Sequence, residues 1–264
     1  MNNKPIGIFD SGVGGLTVFK QIRKLLPWED LIYFGDTARV PYGNKSKETI
    51  IKFSIENILF LLQKQVKVVV IACNTSSSMA LDYLKDIFNI PIIGVIDAGV
   101  KKAIKISSNK RIGVIGTRST INSRSYEKKI KKFDKSIKIY SRACPLFVPL
   151  IEEGLLKGEI IDEVIKMYLE PFKKNNIDTL ILGCTHYPLL KKQIASYLVG
   201  VNIVDSAKEV ALCTFDLLKE KKLFKGTKKL GINKFYVSDE PTNFVKLAKL
   251  FLKKDIKKPT VIHV

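Results

Sequence analysis

The chain has 264 residues, 46% of them hydrophobic and 27% charged, which is enough apolar surface to offset chain entropy and excludes a disordered chain. At about 150 residues per domain, the length suits one large domain or two small ones. Lys and Arg number 45 against 25 Asp and Glu, for a formal charge of +20, and 16 Gly with 10 Pro exclude a collagen-like or Pro-rich chain.

In chain order, short runs rich in Ile and Val alternate with longer helical patterns. Pro5–Phe9 reads as a strand, followed by Asp10-Ser11-Gly12-Val13-Gly14-Gly15-Leu16-Thr17 and a helix over Gly15–Leu26. Thr17 stands where a dinucleotide fingerprint has its last glycine, and no GxxxxGKS or GxxxxGKT run occurs. The free N–H groups of such a helix start favour a carboxylate. Asp10 is suited to steer a proton-transfer group or to bind an ammonium. A strand over Leu31–Phe34 enters a polar loop through Gly43, with turns set by Pro and Gly; it reads as a binding loop or a plain connection. A helix over Lys47–Lys64 and a strand over Val66–Ala72 lead to Cys73-Asn74-Thr75 and a helix over Ser76–Phe88.

The second part repeats the theme. Strands are expected at Pro91–Val95, Arg111–Gly116, Ile137–Tyr140, Thr179–Gly183 and Asn202–Val204, with helices at Thr120–Lys132, Asp162–Asn175 and Leu189–Leu198. The segment Pro5–Ser11 parallels Arg111–Thr117 at an offset of 106, and Val69–Thr75 parallels Leu180–His186 at an offset of 111. Strand–helix alternation predicts an α/β fold of parallel sheets covered on both faces, with ligands at the carboxyl ends of the strands. The matching offsets predict two similar doubly wound domains related by pseudo-two-fold symmetry, with the active site between them. Residues 1–96 with 208–264 form the expected first domain and 97–207 the second. The segment 208–264 opens with a helix and ends with helical Phe244–Leu252, returning to cover the first unit.

Each half thus delivers a cysteine and two small hydrogen-bonding residues to the end of a buried strand. Cys73 and Cys184 are expected at the first turn of a following helix, where the dipole favours thiolate. Two thiols flanking one stereocentre serve as base and acid, inverting configuration without a cofactor. Because a Cα–H is a very weak acid, the site must stabilise the developing charge. His186 is placed to support Cys184 or to hydrogen-bond a side-chain carboxylate. Glu152-Glu153, after Leu146–Ile151, reads from spacing alone as a solvated helix start. Cys144 and Cys213 read as small buried hydrophobes. With two histidines and no CxxC, no metal site is expected, and the cysteines read as free thiols.

The charge is uneven: residues 1–100 carry +2 and residues 101–264 carry +18. Lys supplies 39 of the cations and Arg only 6, with no aromatic residues interleaved as a stacking surface. The reading is a solvated lysine surface rather than a nucleic-acid face. The apolar run Val66–Cys73 is interrupted by Lys67 and falls short of the ~18 residues of a membrane span. No secretion signal opens the chain, so a cytoplasmic protein without a membrane partner is expected.

With these residues assembled, the chain resembles the glutamate racemases, a family of the cofactor-independent aspartate/glutamate racemase superfamily. The likeness runs over nearly the whole chain, through Asp10–Thr17, Pro41-Tyr42-Gly43, Ala72–Thr75, Gly113–Thr117, Ala143–Leu150 and Leu182–Leu189. It implies interconversion of L- and D-glutamate without a cofactor, supplying D-glutamate for peptidoglycan, cell wall and cell shape. It implies Cys73 as the group serving D-glutamate and Cys184 as the group serving L-glutamate. Asp10 would assist Cys73, and Glu152 with His186 would assist Cys184. Ser11, Tyr42, Gly43, Asn74, Thr75, Thr117, Thr120 and Thr185 would bind substrate with Asp10 and His186. A homodimer is expected. Ser76-Ser77-Ser78 stands where small apolar residues are common in the family. Members that need a cell-wall precursor as activator tend to have an N-terminal extension; with the first motif at Pro5, activator dependence is not expected. The competing readings are a racemase acting on aspartate or a hydantoin, a nucleic-acid-binding role for the basic portion, and a Cys hydrolase. The hydrolase leaves the second cysteine unexplained.

Overall fold

The computed structural model describes residues 2–227 and 229–263. The first half runs β1 (Ile6–Asp10), α1 (Leu16–Leu25), β2 (Leu31–Gly35), α2 (Lys47–Gln63), β3 (Val68–Ile71), α3 (Asn74–Met79), α4 (Leu81–Ile87), β4 (Ile92–Gly94) and α5 (Val95–Ile106). The second runs β5 (Arg111–Gly116), α6 (Arg118–Asn122), α7 (Ser125–Phe133), β6 (Lys138–Ala143), α8 (Phe147–Glu152), α9 (Glu159–Lys174), β7 (Thr179–Gly183), α10 (Lys191–Tyr197) and β8 (Asn202–Asp205). The chain then adds α11 (Ser206–Glu220), β9 (Asn233–Val237), α12 (Pro241–Leu252) and β10 (Thr260–Val261).

The strands form two sheets, ordered β10-β9-β2-β1-β3-β4 and β6-β5-β7-β8, and all pairings are parallel. The run β2-β1-β3-β4 therefore recurs as β6-β5-β7-β8, the duplication expected from the two offsets. Every residue of β1, β2, β3 and β7 is buried, as strands covered by helices on both faces require. Helix starts and apolar stripes follow local chemistry. The Ser46 hydroxyl caps α2 by accepting from the Thr49 N–H at 3.3 Å, and Ile50, Ile58 and Leu61 bury one face. Between the two sheets, α11 packs against α1 and α5. No described helix is long and apolar enough to cross a membrane.

Three local expectations change. The helix over Ser76–Phe88 is two helices that break at Ala80. The Ser78 hydroxyl donates back to the Thr75 carbonyl within α3 at 2.8 Å, competition that shortens helices. The helix over Thr120–Lys132 breaks at Arg124, which is left-handed at φ 55°, while Ser123 donates to the Thr120 carbonyl at 2.7 Å. The returning segment 208–264 supplies strands as well as helices. β9 pairs with β2 and extends the first sheet, although its opening Asn233 and Lys234 lie exposed and carry no apolar signal.

Candidate active site

Residues that follow strands of both sheets enclose a cavity of about 300 Å³. Ser11 follows β1, Tyr42 and Gly43 follow β2, and Cys73, Asn74 and Thr75 follow β3; all six line it. From the second sheet come Thr117, Glu152, Cys184, Thr185 and His186. Asp10 and Thr120 stand behind this lining, both buried.

On the first side, Cys73 is the residue before α3, in an extended conformation at φ −66°, ψ 122°. Its Sγ lies 3.9 Å from Ser11 Oγ. Asp10 Oδ2 accepts from the Gly12 N–H at 3.1 Å, whereas Oδ1 has no partner among the described residues. Burial, helped by the charge of Asp10, pushes the Cys73 thiol up to about 12. The expected thiolate at a helix start is thus reversed: desolvation outweighs the short helix that follows. Burial also raises the Asp10 carboxyl, against the charge of His186 and the N–H groups of Gly15, Gly12 and Ser11.

The second side has different chemistry. Cys184 is followed by turns and a short 3₁₀ segment, Tyr187–Leu190, and not by the regular helix expected. Its Sγ is 3.9 Å from His186 Nδ1, and His186 Nε2 lies 2.8 Å from Glu152 Oε1. Burial works against the imidazolium, but the hydrogen bonds and charges of Cys184 and Glu152 prevail and raise His186 to about 10. Phe251 of α12 packs edge-on against this ring, with centroids 5.3 Å apart. Glu152, read from spacing as a solvated helix start, is instead the last residue of α8 and closes a Cys184–His186–Glu152 chain.

The two sides meet through small polar groups. Thr75 Oγ1 is 3.0 Å from Thr117 Oγ1 and 3.3 Å from Thr120 Oγ1, so Thr120 enters through these hydroxyls. Asn74 donates to the Tyr126 hydroxyl at 2.8 Å, and Ser119 donates to the Gly43 carbonyl at 2.9 Å. Two glycines permit this closeness. A Cβ on Gly14 would lie 2.3 Å from Thr185 Oγ1 and 2.5 Å from His186 Nδ1, and one on Gly43 would lie 2.7 Å from Thr117 Cβ. Val40, Pro41, Pro145, Val148 and Pro149 add an apolar wall that the sequence had not singled out by role. Their positions after β2 and β6 were the available signal. Cys144 is buried outside the cavity lining, and Cys213 is half-buried. No cluster of three or more His, Cys, Asp or Glu suited to a metal is found among the described residues.

The family model for Asp/Glu/Hydantoin racemase matches residues 6–213. A glutamate racemase of Sulfurihydrogenibium sp. (strain YO3AOP1) is 52% identical over 249 residues, 94% of each chain. The crystal structure of glutamate racemase from Francisella tularensis in complex with D-glutamate superposes with a TM-score of 0.94 at 43% identity, covering 99% of this chain and 98% of that one. The Escherichia coli glutamate racemase in complex with L-glutamate and the activator UDP-MurNAc-ala gives 0.79 at 30% identity, over 94% and 95%. The chain therefore belongs to the Asp/Glu/Hydantoin racemase family and, within it, to the glutamate racemases.

Proposed function

We propose that the chain interconverts L- and D-glutamate by passing the Cα proton between two thiols, supplying D-glutamate for peptidoglycan and so for the cell wall and cell shape. The observation that carries this reading is that Cys73 and Cys184, each following a β-strand of its own sheet, line one cavity. Relatives bound to D-glutamate and to L-glutamate support the substrate.

In the L-to-D direction the Cys184 thiolate takes the Cα proton of L-glutamate. The C–H electron pair stays on the substrate, spread towards its α-carboxylate. The Cys73 thiol then gives its proton to the opposite face of Cα, leaving D-glutamate and a Cys73 thiolate. The reverse direction begins at Cys73. A Cys73 thiol raised to about 12 stays protonated near neutral pH, the state required of the proton donor in the first direction. His186, charged up to about 10, sets a positive charge beside the sulphur that carries negative charge. Glu152 orients that imidazole, and Asp10 assists Cys73. Ser11, Tyr42, Gly43, Asn74, Thr75, Thr117, Thr120 and Thr185 bind and frame glutamate, with Thr120 acting through Thr75 and Thr117. Both proton-transfer groups come from the chain, so the reading calls for no cofactor. Residues 1–96 with 208–264 serve as the Cys73 domain and 97–207 as the Cys184 domain. A cytoplasmic homodimer with a solvated lysine surface accompanies this reading.

The test is chiral chromatography of L-glutamate, and separately of L-aspartate, incubated with purified protein and no added cofactor. Equal amounts of L- and D-glutamate with unchanged L-aspartate are expected. Unchanged L-glutamate, or faster inversion of aspartate, overturns the reading.

A further inference from the structure

The loop carrying Tyr42 and Gly43 into the cavity is held by a buried carboxylate that does not itself line the cavity. Asp36 is fully buried at the end of β2. Its Oδ2 accepts from Arg39 Nε at 2.7 Å and from the Tyr42 hydroxyl. Its Oδ1 accepts from the Ser238 hydroxyl at 2.9 Å. The network closes on itself: Arg39 Nη2 donates to Asn57 Oδ1 at 3.0 Å, and Asn57 Nδ2 donates to the Tyr42 hydroxyl at 3.1 Å. The Tyr42 hydroxyl is thereby engaged on both its donor and acceptor sides away from substrate. What Tyr42 offers the cavity is its ring and main chain.

Ser238 extends the same device to the end of the chain. It follows β9, its hydroxyl accepts from the Ala38 N–H at 2.9 Å, and its own N–H donates to the Gly35 carbonyl at 3.1 Å. It lies beyond residues 6–213, the span of the family match. The geometry points to Asp36 as a positioning residue that fixes the Tyr42–Gly43 loop for substrate, with Ser238 making the C-terminal strand part of the same support. This rests on the reading of the cavity as the glutamate site. A buried carboxylate held by several donors suits the task, because charge-assisted bonds fix direction as well as distance. Loss of one bond lets a substrate-facing loop drift, which weakens its hold on glutamate more than it disturbs the proton transfer at the two sulphurs.

The experiment compares Asp36→Asn, Tyr42→Phe and Ser238→Ala in the full chain, measuring KM and kcat for glutamate in both directions and thermal melting. Asp178→Asn serves as a control: Asp178 likewise accepts from a loop, at Ser107, Ser108 and Asn109, outside the cavity lining. Asp36→Asn is expected to raise KM by roughly tenfold with a smaller change in kcat. Ser238→Ala should raise it less, and Asp36→Asn with Tyr42→Phe should cost little more than Asp36→Asn alone. Asp178→Asn should lower the melting temperature and leave KM unchanged. Additive effects at Asp36 and Tyr42, or an unchanged KM in a folded Asp36→Asn protein, overturn the inference. If Asp36→Asn does not fold, an unchanged KM in both Tyr42→Phe and Ser238→Ala overturns it equally. Failure of the unmodified protein to racemise glutamate defeats the parent reading instead, so the two failures are distinct.

Discussion

The Cys73 and Cys184 sides share a strand order and a buried sulphur, and they differ in the polar and titratable groups beside it. At Cys73 the neighbours are a serine hydroxyl and a buried carboxylate, and burial leaves a thiol raised to about 12. At Cys184 a histidine is raised to about 10 by its partners, one of which, Glu152, reaches solvent. Duplication supplied two equivalent strand ends, and the loops that follow them supplied two electrostatic environments. Backbone symmetry thus does not carry electrostatic symmetry.

Removing one thiol at a time should have the largest effect on this asymmetry. Cys73→Ser and Cys184→Ser should each lower racemisation by more than about a thousandfold, since a hydroxyl is a poor base near neutral pH. Each should keep one half-reaction on a glutamate analogue with a β leaving group, where deprotonation alone gives elimination. Cys73→Ser should eliminate from the L-like analogue and Cys184→Ser from the D-like one, followed by leaving-group release. Near-normal racemisation in either variant would reduce that cysteine to a structural role.

A milder perturbation pushes the two sides apart. Gly14→Ala puts a methyl group against Thr185 and His186, so kcat/KM for glutamate should fall by roughly a hundredfold. Thermal melting, measured beside it, separates displacement from unfolding. Full activity with an unchanged melting curve would show that the contact is readily relieved.

The smallest change sharpens the Cys184 side alone. Glu152→Gln should reduce kcat/KM by about tenfold or less, because the Glu152 side chain is 40% exposed and solvent screens its charge. It also lowers the His186 proton affinity. A raised imidazole contributes stability in full below its ordinary 6.5 and loses it as pH climbs through about 10. The Cys73 thiol adds a loss of the same sign between 9 and about 12. Melting curves against pH should therefore show the earlier decline moving to lower pH in Glu152→Gln while the Cys73 component stays. Superimposable profiles would sink the assigned pairing.

Much of this was legible in the residues. All eight strands expected before residue 208 are present; the fully buried β1, β2, β3 and β7 leave the clearest apolar runs bounded by turns. The paired cysteines were visible as a repeat. The high proton affinity of Cys73 was not, because burial depends on what the other sheet brings over the cavity. Glu152 had no spacing signal, since its partner His186 is 34 residues away. Asp36 looked like a loop residue for the same reason: Ser238, its partner, lies 202 residues on, beyond a strand with exposed polar residues at its start.

The near-repeat of the two halves has a further consequence for handedness. A rotation axis exchanges Cys73 with Cys184, but rotation never turns one enantiomer into its mirror image. Even perfectly equal halves would not make L- and D-glutamate equivalent to this chiral site. In achiral water the two enantiomers have the same free energy, so kcat/KM must be equal in the two directions. Nothing requires kcat or KM separately to match. In the proposed mechanism the unlike neighbours of the two thiols leave those quantities free to diverge, so one enantiomer can be held more tightly and turned over more slowly than the other.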